Sequence, residues 1–109
     1  MKYGLTEATI AKICQVLAKF PEIKTAVLYG SRAKGNYKSG SDIDLTLYGA
    51  VLTSKILADI EDALDDLFLR YGIDLSNFAD LDNNELRQHI ERVGIVFYKA
   101  LDTATPKDQ

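Results

Sequence analysis

One cysteine among 109 residues leaves Cys14 without a partner, so an internal disulfide is excluded and a reducing compartment fits. One histidine, His89, lies far from Cys14 in sequence, so no nucleophile–base pair is suggested there. Cys14 instead reads as a small apolar residue on a helix face. No apolar run reaches the roughly 18 residues that a membrane helix needs, and no signal-peptide pattern opens the chain. The expectation is a soluble, cytoplasmic protein without membrane contact. A basic surplus is also missing: 13 Lys and Arg against 16 Asp and Glu give a formal charge of −3, which argues against broad nucleic-acid binding. Repeats and low-complexity segments are absent. What remains is an ordinary globular composition, 47% hydrophobic and 27% charged, enough for one modest core and too short for two.

The chemistry concentrates between Leu28 and Leu47. A strand over 24–29 leads into Gly30-Ser31, a short helical turn at 32–34 and a polar loop over 36–41. A second strand over 42–48 then carries Asp42 and Asp44. Residues i and i+2 of a strand share a face, so the two carboxylates stand together while Ile43, Leu45 and Leu47 point to a core. Two carboxylates about 4 Å apart repel by roughly 4 kcal/mol at an effective dielectric near 20, so the pair calls for a cation or a proton. Hard oxygen ligands of this kind suit Mg²⁺, which takes one or two carboxylates and completes its shell with water and phosphate; Mn²⁺ accepts the same ligands. Gly30 permits close approach of a phosphate, Ser31 offers a hydroxyl and an N–H at the start of a helical turn, and Arg32 and Lys34 add positive charge. A P-loop is excluded because Gly35 is followed by Asn36-Tyr37, and an EF-hand because Ile43 and Leu45 flank Asp44.

Around this segment the periodicities predict a helix over 6–20, capped by Thr6 and stopped by Pro21, and a helix from Thr53 or Ser54 to about Arg70. The second has a stripe of Ile56, Leu57, Ile60, Leu64, Leu67 and Phe68, with Glu61, Asp62, Asp65 and Asp66 on its solvated face and Gly72 as a cap. A strand starts at Ile73-Asp74-Leu75-Ser76, with Asp74 and Ser76 on one face. Asp82 and Glu85 have capping-box spacing before a helix over 83–93, whose stripe is Leu86, Ile90 and Val93 with His89 beside it. A last strand covers 95–98, and the polar residues 102–109 are expected to be a disordered tail after a domain of residues 1–101. The order α-β-β-α-β-α-β predicts an α/β (α+β) fold, a small mixed sheet with helices packed on one face.

Gly30-Ser31, ten residues, then Asp42-Ile43-Asp44 resembles the signature of the DNA polymerase β-like nucleotidyltransferase superfamily, in particular its minimal nucleotidyltransferase (MNT) group. The resemblance implies a palm-like core and a third carboxylate from the next strand, which Asp74 matches, binding a second metal ion and helping to deprotonate the attacking hydroxyl. It further implies transfer of a nucleoside monophosphate, AMP from ATP, to a hydroxyl acceptor. Larger members append an acceptor-binding domain for which this chain has no residues left. The acceptor half is therefore expected from a second polypeptide, a second copy of the chain or the acceptor itself. Minimal members commonly pair with a small all-helical HEPN-type protein encoded beside them, acting as antitoxins that attach AMP to the partner. A non-catalytic antitoxin that silences its partner by occupancy is the alternative.

Overall fold

Thr6 starts the first helix by accepting a hydrogen bond from the Thr9 N–H at 3.1 Å. In the computed structural model, which describes residues 1–101, this helix is α1, Glu7–Leu17. The expected tail at 102–109 lies outside the described residues. α1 stops three residues short of Phe20 because a proline at 21 clashes with a helical carbonyl four residues earlier, at Leu17. Turns from Lys19 N–H to Val16 and from Phe20 N–H to Leu17 unwind the end. β1 follows as Ile23–Tyr29, then the single turn α2, Ser31–Lys34, then β2, Ile43–Gly49.

α3 runs Ser54–Asp65, with Thr53 as its cap, and ends well before Arg70. Its last turn has no basic residue, and Asp62, Asp65 and Asp66 oppose the negative end of the helix dipole. Phe68 adopts φ +53° and is 89% exposed, so it leaves the stripe assigned to it. β3 is Ile73–Asn77, and a short 3₁₀ turn, Phe78–Asp80, precedes α4, Asn84–Val93, and β4, Ile95–Lys99. The cap of α4 is Asn83, which accepts from the Leu86 N–H at 3.1 Å; the expected Asp82–Glu85 box is one residue out of register. Gly94 ends α4 in extended backbone, a helix stop where one was expected.

The four strands form one mixed sheet in the order β3-β2-β1-β4. β1 is antiparallel to β2 and β4, and β2 is parallel to β3, with α3 as the crossover. α1 and α3 cover one face, where Ile13, Leu17 and Ile60 meet Leu28, Ile43, Leu45 and Leu47, all fully buried. Burial of each such side chain contributes roughly 1.5–3 kcal/mol. α4 lies against the opposite face, packing Ile90 with Tyr29 and Phe78 beside Val27 and Tyr48. The rest of that face stays open. Among the described residues no helix is long and apolar enough to cross a membrane.

Candidate functional site

The strand register lines up a row of three side chains on the open face. Tyr29 of β1 stands opposite Asp44 of β2, which stands opposite Asp74 of β3. Asp42 immediately precedes β2 and abuts Gly72, the residue before β3. A Cβ on Gly72 would sit 2.8 Å from the Asp42 carboxylate, so a side chain here would push on that carboxylate, and Gly72 is not a helix cap. Burial, then the charge of Asp74, then that of Asp42, push the Asp44 carboxyl above its ordinary range. Asp42 and Asp74, both exposed, thus act electrostatically on the half-buried Asp44 between them. Among the described residues no Lys or Arg pairs with any of them; the one ion pair is Lys55–Asp59 on α3.

A second row lies one step deeper. Ser76 Oγ donates to Thr46 Oγ1 at 2.9 Å, and Thr46 is fully buried. Burial, with the charges of Asp74 and Asp44, raises the Tyr29 phenol against a smaller lowering by Ser76, so that it stays protonated at neutral pH. The edge of its ring meets His89 of α4, centroids 6.3 Å apart at 82°. Sequence reasoning names none of Tyr29, Thr46 or Gly72 for the site. Alternation from Asp44 is enough to find Thr46; finding Tyr29 requires the β1–β2 register.

Gly30 joins the phosphate-type turn to this row. Its φ of +77° and ψ of −154° suit glycine almost alone, and any Cβ would overlap the Asp44 carboxylate. Ser31 then opens α2, whose first N–H groups lack intrahelical partners, and Lys34 is exposed at the other end. Arg32 behaves otherwise. It is only 2% exposed, and its guanidinium donates from Nε and Nη2 to the Ser41 carbonyl at 3.1 and 2.8 Å, and from Nη1 to the Tyr3 carbonyl at 2.8 Å. The rings of Tyr71 and Tyr37 flank it at 4.8 and 5.2 Å. Charge-assisted hydrogen bonds at about 1.5–3 kcal/mol each and cation–π contacts at about 0.5–2 kcal/mol offset the several kcal/mol that burying the charge costs. Arg32, expected as positive charge beside a phosphate, is thus anchored inward on two main-chain carbonyls.

A divalent cation fits the donor set in kind: three carboxylates, hard oxygen ligands, with no cationic side chain paired to them. Among the described residues no group of three or more acidic, histidine or cysteine side chains is placed to hold a metal ion as it stands. Cys14 stays out of this region. Its thiol lies 3.6 Å from the Phe97 carbonyl and is pushed up by burial, as for a packed apolar residue.

Chains in several solved structures share this architecture. One, from a toxin–antitoxin with AMP-PNP, superposes with a TM-score of 0.68 and 21% identity, over 87% of this chain and 76% of that one. Another, from a tri-AMPylated Shewanella oneidensis HEPN toxin in complex with MNT antitoxin, gives 0.66 and 18%, over 88% and 74%. A third, from the toxin–antitoxin MntA–HepT, gives 0.64 and 18%, over 87% and 74%. No curated protein matches the chain in sequence. Residues 11–102 match the family described as "Polymerase beta, Nucleotidyltransferase", which takes in the Gly30-Ser31 turn and all three aspartates. With most of its length so matched, the chain belongs to the polymerase β nucleotidyltransferase family.

Proposed function

We propose that the chain is a divalent-metal-dependent nucleotidyltransferase that moves AMP from ATP to a hydroxyl on, or presented together with, a small helical HEPN-type partner, as the antitoxin-like subunit of a two-protein system. The observation that carries this reading is the placement of Asp42 and Asp74 beside Asp44 on the open face, both acting on its carboxyl, without a neutralising side chain and with Gly30 pressed against Asp44. Likeness to chains from toxin–antitoxin pairs, one with AMP-PNP and one with a tri-AMPylated HEPN toxin, supports the choice of nucleotide and partner.

In this reading Asp42, Asp44 and Asp74 hold Mg²⁺, with two ions expected and Mn²⁺ able to replace it. When bound, the metal stabilises negative charge on the phosphoryl oxygens as a Lewis acid. Gly30 leaves the backbone open to the triphosphate, Ser31 and the first N–H groups of α2 bind its oxygens, and Lys34 adds charge at the rim. Asp74, at the exposed end of the row, helps take the proton from the acceptor hydroxyl. The acceptor oxygen then attacks the α-phosphorus, the bond to the bridging β-oxygen breaks, and pyrophosphate leaves. Positioning and charge stabilisation do most of such a transfer, so a small chain suffices when the partner presents the acceptor.

The test is label transfer from ATP to the protein encoded beside this chain, in Mg²⁺. Label from the α-phosphate on the partner, and none from the γ-phosphate, is the expected result. Label from the γ position would mean a kinase. A stable complex with no label on the partner would favour occupancy without catalysis.

A further inference from the structure

We infer that Arg32 is a positioning residue for Asp42 and makes no direct contact with the nucleotide. The inference rests on Asp42 belonging to the cation site proposed above. Asp42 sits between two anchored peptide units. On one side the Ser41 carbonyl accepts two hydrogen bonds from the Arg32 guanidinium. On the other the Ile43 N–H donates to the Gly72 carbonyl at 2.8 Å. Tyr71, the neighbour of Gly72, lays its ring against that same guanidinium. The path from Arg32 through Ser41, Asp42, Ile43, Gly72 and Tyr71 back to Arg32 is closed, with Asp42 inside it and Gly72 in contact with its carboxylate.

Little else fixes this stretch. Between Asn36 and Ser41 every residue but Ser41 is exposed, and apart from the bonds from Arg32 the stretch is held by the Asn36 N–H to the Ser31 carbonyl and by the Lys38–Ser41 turn. Only the planar fork of arginine can make this set of contacts. It spans one carbonyl with two donors while presenting its faces to two rings, which an ammonium cannot do. The third bond, to the Tyr3 carbonyl, ties the N-terminal turn into the same anchor. A guanidinium so enclosed directs three of its five N–H donors, one from each nitrogen, at main-chain carbonyls.

The test uses the full chain and Mn²⁺ alone, with binding followed by electron paramagnetic resonance. Arg32→Lys keeps the charge and loses the fork; Tyr71→Leu keeps the arginine and loses the stack. Each variant is expected to weaken Mn²⁺ binding by about tenfold, the scale of removing a group that orients a metal ligand. Tyr71→Phe, which keeps the ring face, is expected to retain wild-type affinity. Should Arg32→Lys fail to fold in a thermal melt, Tyr71→Leu decides the matter, since it leaves the guanidinium and its charge in place and removes only the ring stacked on it. Unchanged Mn²⁺ affinity in folded Tyr71→Leu, with Arg32→Lys altering only the KM for ATP, would overturn the inference and make Arg32 a phosphate ligand. A wild-type chain that binds no Mn²⁺ would overturn the cation site itself, and this inference with it.

Discussion

Along β2, Ile43, Leu45 and Leu47 enter the closed face and are wholly buried, while the residues between them, Asp44 and Thr46, present a carboxylate and a hydroxyl to the other side. The closed face is held by apolar area, which is non-directional and tolerant of detail. The open face depends on a few close approaches: Gly30 on Asp44, Gly72 on Asp42, Ser76 on Thr46. One strand therefore serves stability with one set of side chains and chemistry with the other, and the two should fail separately when mutated.

The largest effect on folding belongs to the closed face. Leu45→Ala should lower the unfolding free energy by about 3 kcal/mol, the cost of a buried leucine cavity, in urea titration. Transfer per folded molecule should stay near wild type; a large loss there would break the comparison. Gly30→Ala comes next, because it forces a strained backbone and pushes on Asp44, with a cost of roughly 1–3 kcal/mol. Here transfer should fall well beyond what the melt explains, which sharpens the contrast between faces. The smallest effect concerns the metal-free chain. The Asp44 carboxyl is raised in the fold by burial, Asp74 and Asp42, so its contribution is fully present below the unfolded pKa of about 3.9 and is lost as pH rises through the folded value. Asp44→Asn should therefore raise the melting temperature at neutral pH slightly and flatten its pH dependence above about pH 4. A lower melting temperature would show that Asp44 holds the fold together instead of straining it.

The same contrast explains what the sequence discloses. Period-two alternation makes the closed face of β2 readable, because it depends on neighbours in the chain, whereas Asp42, expected inside the strand, lies just before it. Helix starts at Thr6 and Thr53 are readable for the same reason, since a cap needs only its own first turn. Phe68 misleads because helical periodicity continues past Asp65, whereas the accumulated acids and the path to β3 end the helix there. The surroundings of Arg32 are not legible because its partners, Tyr3, Ser41 and Tyr71, come from three separated segments that the fold alone brings together. Tyr29 and Gly72 escape notice for that reason too: register and loop contact are not local properties.

The most direct test of the central claim, that the acid row performs transfer, is the Asp44→Asn chain assayed with its partner. Label transfer from the α-phosphate of ATP should fall by about a hundredfold or more, because charge on the reacting phosphate loses its principal stabilisation. Binding to the partner should persist. Full transfer by Asp44→Asn would contradict the assignment of chemistry to this face, and full neutralisation of the partner without transfer would make the chain an antitoxin by occupancy.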